Sequence, residues 1–74
     1  SSCDYPEVWL ALLGACRKWG NVKLGILSFD QIVQLTVGCA ACYILMANIF
    51  ANAGMPEDKE NVETMGLKYG SIGN

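Results

Sequence analysis

The stretch SFDQIVQLTVGCAACYILMANIFANAG, residues 28–54, decides the reading of the fold. No charged residue occurs in the 26 positions from Gln31 to Pro56, between Asp30 and Glu57. Ser28 followed by Gln31 has the form of a capping box, in which a hydroxyl and an amide three residues on satisfy the orphan N–H groups of a helix start. Gly54 suits the left-handed residue just past a helix end, and Pro56 cannot continue a helix. The pattern predicts one long helix over about residues 28–54, spanning roughly 40 Å.

Two seams run along that predicted helix. Gln34, Gly38, Ala41, Leu45, Asn48 and Asn52 alternate steps of four and three, which keeps them on one face of a packed helix. They are mostly small or hydrogen-bonding, the composition that lets helices approach closely in lipid. These six are the candidate helix-packing interface. The second seam, Ile32, Leu35, Cys39, Cys42, Met46, Ile49 and Ala53, is wholly apolar. A surface helix in water has one apolar stripe and one charged face. Without a charged face, this helix is expected to be buried all round, and a chain of 74 residues has too little left to wrap it. Lipid or other subunits, including copies of the same chain, are the expected cover.

Working outward, Asp4 and Glu7 read as an N-cap with a carboxylate in the first turn, and Pro6 suits that turn. Val8 to Cys16 is apolar. Arg17 and Lys18 sit where cations favour a helix C-terminus, and Gly20 is a stop, so a first helix is predicted over about 5–19. Its apolar run is too short for a bilayer, which needs about 20 residues. Residues 20–27, interrupted by Gly20 and Gly25, read as a connector. Pro56, Glu57 and Asp58 open a third helix over about 56–69, carrying Val62, Met65 and Tyr69 at helical spacing. No internal repeat is read along the chain. The fold class is all-α: one small unit over 1–74 with a short N-terminal helix, a long apolar central helix and a short acidic C-terminal helix.

Composition sharpens the expectation. The chain is 53% hydrophobic and 16% charged, against about 25% charged in average soluble domains. A net charge of −2 gives no electrostatic case for nucleic acid, which is excluded as a partner on that ground. Cations precede the central stretch and acids follow it; if it spans a membrane, the positive-inside tendency places the N-terminal half on the cytoplasmic, stromal or matrix side. Trp9 and Trp19 then serve as interfacial aromatics or as ordinary core filling. The start at Ser1-Ser2 without Met is expected of a processed mature chain, a trimmed chain or a fragment.

Chemistry is sparse. The chain has no histidine, which removes the commonest general base and metal ligand. Cys3, Cys16, Cys39 and Cys42 are possible disulfide partners with three complete pairings. Alternatively, Cys39 and Cys42 are small hydrophobes within an apolar helix, where a thiol is inert. Glu57, Asp58, Glu60 and Glu63 lack the pattern of a calcium loop and read as a solvated face. No catalytic, cofactor or metal site is expected, and the chain is read as non-enzymatic.

The order of short helix, basic turn and long apolar helix resembles conjugative pilins and small photosynthetic membrane subunits, although the first helix is shorter and an acidic tail follows. Cys3 and the run Glu57-Asp58-Lys59-Glu60-Asn61 are similar to parts of secretoglobins, without that family's C-terminal cysteine. Each likeness covers a minority of the chain and none is adopted. The leading expectation is a structural or accessory subunit, membrane-embedded or packed in a pilus-like helical assembly. The alternative is an extracellular, disulfide-stapled helical peptide of the toxin or lipid-carrier kind.

Overall fold

A computed structural model describes residues 6–35 and 40–69. They form four helices, α1 (Pro6–Trp19), α2 (Val22–Leu35), α3 (Ala40–Asn52) and α4 (Pro56–Tyr69), with no strand among the described residues. The all-α class holds. The single long helix over 28–54 does not: Ser28 to Leu35 belong to α2 and Ala40 to Asn52 to α3. Residues 20–27, read as a connector, contain the start of α2, whereas α1 ends at Trp19 and α4 starts at Pro56 as predicted; the Asp4 cap and a start at residue 5 lie outside the described residues.

Glycines close the two hairpin turns, and residues 36–39, between α2 and α3, lie outside the described residues. Gly20 closes α1 with φ 72°, and the Asn21 N–H donates to the Cys16 carbonyl at 3.0 Å. This six-residue closure satisfies a carbonyl that the helix end leaves orphaned. Asn21 then starts the next helix, its Oδ1 accepting the Leu24 N–H at 3.1 Å, as an N-cap side chain does. Gly54 closes α3 in the same way, with φ 70° and the Met55 N–H on the Phe50 carbonyl at 2.9 Å. Met55 has no capping side chain. Pro56 at the first helical position has no N–H to satisfy, and Glu57 and Asp58 complement the dipole of the first turn.

Ser28 is therefore not a cap. It lies inside α2, fully buried, and its hydroxyl donates to the Leu24 carbonyl at 2.9 Å. Serine can bond back one turn as readily as it can cap, and local sequence does not separate the two. Gly25, read as a breaker, is a close-approach residue: a Cβ there would stand 3.1 Å from Ile49 Cδ1 and 3.6 Å from Cys16 Cβ.

Each two-residue or three-residue turn folds its helices into a hairpin, α1 on α2 and α3 on α4, and α3 also packs on both α1 and α2. The Cα envelope is 33 × 26 × 14 Å. Two layers of helices about 8–10 Å apart, with Cα cylinders of radius about 2.3 Å, span close to 14 Å, so the slab is two helices thick. The core is Leu13, Cys16, Ile32, Cys42, Tyr43, Met46, Ala47, Ile49, Phe50 and Val62. Six of these ten belong to α3, so the core face of the uncharged segment is covered by the chain's own helices. No helix among the described residues is long and apolar enough to cross a membrane. That overturns the expectation of a membrane-embedded, transmembrane subunit.

The two hairpins recur at one offset. The starts of α2 and α4 at 22 and 56, and the closing glycines at 20 and 54, each differ by 34 positions (56 − 22, 54 − 20). The backbone bonds follow: Asn21 to Cys16 corresponds to Met55 to Phe50, and Gly25 to Asn21 corresponds to Lys59 to Met55. Buried side chains also match, as Leu13 with Ala47, Cys16 with Phe50 and Ser28 with Val62. A fixed period of this size is the mark of a helical-repeat architecture, where each two-helix unit buries its apolar face against the next.

Candidate functional site

Two surface features follow from this stacking. The first is an open groove of about 550 Å³ on the outer side of the second hairpin. Tyr43, Ile44, Ala47 and Asn48 come to it from α3, and Lys59, Glu63, Gly66 and Leu67 from α4. Gly66 shapes its floor, because a Cβ there would stand 3.2 Å from Tyr43 Cβ. Tyr43 is held on its other side by Phe29, edge to face, with centroids 5.3 Å apart and an interplanar angle of 80°. Lys59 Nζ donates to both carboxylate oxygens of Glu63, at 3.2 and 3.1 Å, along one rim. An exposed i,i+4 pair of this kind contributes about 0.3–0.5 kcal/mol, so it orients the rim more than it stabilises the fold.

The second feature is the turn between α1 and α2. Arg17 and Lys18 occupy the last turn of α1, and Lys23 lies in the first turn of α2; all three are exposed. Trp19 stands among them, 75% exposed, with Lys18 Nζ 5.5 Å from its ring. An indole left in solvent beside Lys18, with Arg17 and Lys23 near in sequence, offers a stacking platform and cations for phosphate contacts. By contrast, Glu57, Asp58 and Glu60 of α4 are exposed acids.

The six seam residues fall on two helices. Gln34 is an exposed residue of α2 whose amide nitrogen donates to Asp30 Oδ2 at 2.9 Å. Ala41 and Asn52 are exposed on α3, Leu45 packs half-buried against the core, and Asn48 is half-buried at the groove. Gly38 lies outside the described residues. Of the second seam, Ile32, Cys42, Met46 and Ile49 are core residues. Cys16 and Cys42 are both buried, and Cys3 and Cys39 lie outside the described residues. Reading the chain as one central helix hid the repeat and assigned the basic turn to membrane orientation. The signal that finds them is the recurrence of a helix-closing glycine 34 positions on, Gly20 and Gly54.

No family model matches the chain. No solved structure matches it. Among curated proteins, it is 40% identical over 59 residues to a pentatricopeptide repeat-containing protein of Arabidopsis thaliana, covering 80% of this chain and 9% of that protein. A second such protein of the same plant is 38% identical over 69 residues, covering 88% of this chain and 14% of its own length. A third, named as chloroplastic, is 33% identical over 64 residues, 81% of this chain and 7% of that protein. The chain thus spans about a tenth of the length of the relatives it matches. This similarity displaces the pilus-like and stapled-peptide readings, and the extracellular placement with them. It also overturns the exclusion of nucleic acid from net charge, because pentatricopeptide-type repeats as a class read single-stranded RNA, one base per repeat. Charge summed over a chain misses a local cluster such as Arg17, Lys18 and Lys23. Over most of its length, the chain is similar to a short stretch of pentatricopeptide repeat-containing proteins.

Proposed function

We propose that the chain is a non-catalytic pair of helical repeats that binds single-stranded RNA as part of a longer repeat array. The observation that carries this reading is the recurrence of one two-helix unit at a 34-position offset, in a chain similar to pentatricopeptide repeat-containing proteins. Two repeats of that class would cover about two bases, so the affinity of this chain alone is expected to be weak, with a Kd on the order of 10⁻⁴ M. The basic turn supports a reading of the contacts. Arg17, Lys18 and Lys23 would meet phosphates, and Trp19 would stack on a base.

Fluorescence anisotropy of a labelled single-stranded RNA, titrated with the chain across a salt series, tests the reading. Binding should weaken as salt rises. Replacing Arg17, Lys18 and Lys23 with alanine should lower the slope of log K against log salt by about 2, at about 0.7 per phosphate contact on a single strand. Trp19→Ala should weaken binding about tenfold, with the slope unchanged, because stacking contributes about 1–3 kcal/mol and releases no counterion. No binding at low salt, or binding indifferent to all four substitutions, would contradict the proposal.

A further inference from the structure

The two hairpin turns occupy one edge of the slab. Gly25, one helical turn past Asn21, stands beside both Cys16, one turn before Gly20, and Ile49, shortly before Gly54. The turn that closes α1 and the turn that closes α3 therefore lie side by side, offset by the spacing of packed helices, about 8–10 Å. Further units stacked before or after the pair would cover hairpin faces and leave this edge in solvent. Along it the two units differ in charge. Arg17, Lys18 and Lys23 border the first turn, and 34 positions on stand Ala51, Asn52 and Glu57, with Asp58 following; all of them are exposed. Three cations at one turn thus give way to two acids at the next. The second hairpin has two cations among its described residues. Lys59 is paired with Glu63 at 3.1 Å, and Lys68 lies in the last turn of α4, at the end of that helix far from the turn edge.

We infer, resting on the single-stranded RNA reading, that the strand leaves the array between these two turns: the first unit holds phosphate and the second repels it. Affinity for phosphate comes from cations that displace the strand's counterions. The first turn supplies three such cations, and at the second the equivalent positions supply none. Repulsion adds to that lack. At physiological salt the screening length is about 8 Å. A phosphate at the first turn, one helix spacing away, is largely screened from Glu57 and Asp58, whereas one carried on to the second turn would sit within that length of both. Repeats of this class take one base each, so the next nucleotide along the array is the one brought to the acids. The pair of hairpins marks a boundary of the surface that holds RNA, set by charge and not by any change in backbone plan.

Amide chemical shifts of the chain, followed as a single-stranded oligouridylate long enough to span both turns is added at low salt, read the two turns separately. Shifts should appear over residues 17–23 and be absent over 51–58. Equal shifts at both turns would overturn the inference and leave the RNA reading standing, whereas no shift anywhere would overturn both. A gain of contacts tests the same boundary from the other side. Ala51→Arg, Asn52→Lys and Glu57→Lys together give the second turn the cations of the first. All three positions are exposed, and Lys23 already stands at the position equivalent to Glu57, so this variant should keep the wild-type helical signal. Anisotropy across a salt series should show its slope of log K against log salt steeper by about 2, at about 0.7 for each added phosphate contact, and its amide shifts should extend over 51–58. A slope and a shift pattern unchanged from wild type would place the strand's path away from the second turn for a reason other than charge, and would overturn the inference.

Discussion

The two hairpins have the same backbone plan and different surroundings. In the first, α1 and α2 are covered on one side by α3, and the equivalent of the groove floor is filled by Ile32 and Leu13. In the second, α4 has Val62 as its one buried residue, and the corresponding floor is Gly66 and Ala47 beside open solvent. The Schellman closures at Gly20 and Gly54 are alike, yet one turn hands over to a side-chain cap, Asn21, and the other to Pro56 and two acids. Backbone connectivity thus repeats because helix ends obey local rules, whereas side-chain content is set by what each face must meet.

The largest expected difference between equivalent positions is in the core. Met46→Ala removes a side chain that is 1% exposed in the helix supplying most of the core, and should cost about 2–5 kcal/mol. Leu12→Ala, its counterpart, removes a half-buried side chain and should cost less than half as much. Urea unfolding of both variants checks the order, and equal losses would break the comparison. A smaller contrast lies at the groove. Gly25→Val forces bulk against Ile49 and should cost about 1–3 kcal/mol, while Lys59→Val, 34 positions on and beside open space, should stay within about 0.5 kcal/mol. The smallest concerns the turns. Asn21→Ala removes a cap and should cost about 1 kcal/mol, whereas Met55→Ala removes no cap, only a partial apolar contact. Thermal melts of this pair, showing a larger loss at Met55, would mean that the side-chain cap is not what starts α2.

The first and last helices were legible in the sequence because their ends carry chemistry with one reading: acids and Pro6 or Pro56 at the start, cations and glycine at the close. The middle was not, for three reasons tied to particular residues. Ser28 and Gln31 match a capping box by spacing, but the buried Ser28 hydroxyl bonds back to Leu24. Gly25 looks like a breaker, but it is the point of closest approach to Ile49. Absence of charge from Gln31 to Pro56 reads as continuity, although a segment buried by its own chain needs charge no more than one buried in lipid. The basic turn was visible residue by residue and assigned to membrane orientation. Its place beside an exposed Trp19 depends on α2 starting at Val22, which Asn21 sets as a cap.

The account stands on α3 folding back against the first hairpin. A nuclear Overhauser experiment measures this directly. A cross-peak between the Gly25 Hα protons and the Ile49 δ1 methyl is expected, since a Cβ at Gly25 would lie only 3.1 Å from that carbon. A continuous helix over 28–54 would hold Ile49 about 30 Å from Ser28, at 1.5 Å per residue, and no such cross-peak could form. Its absence, with both resonances assigned, would contradict the stacked hairpins and every inference drawn from their recurrence.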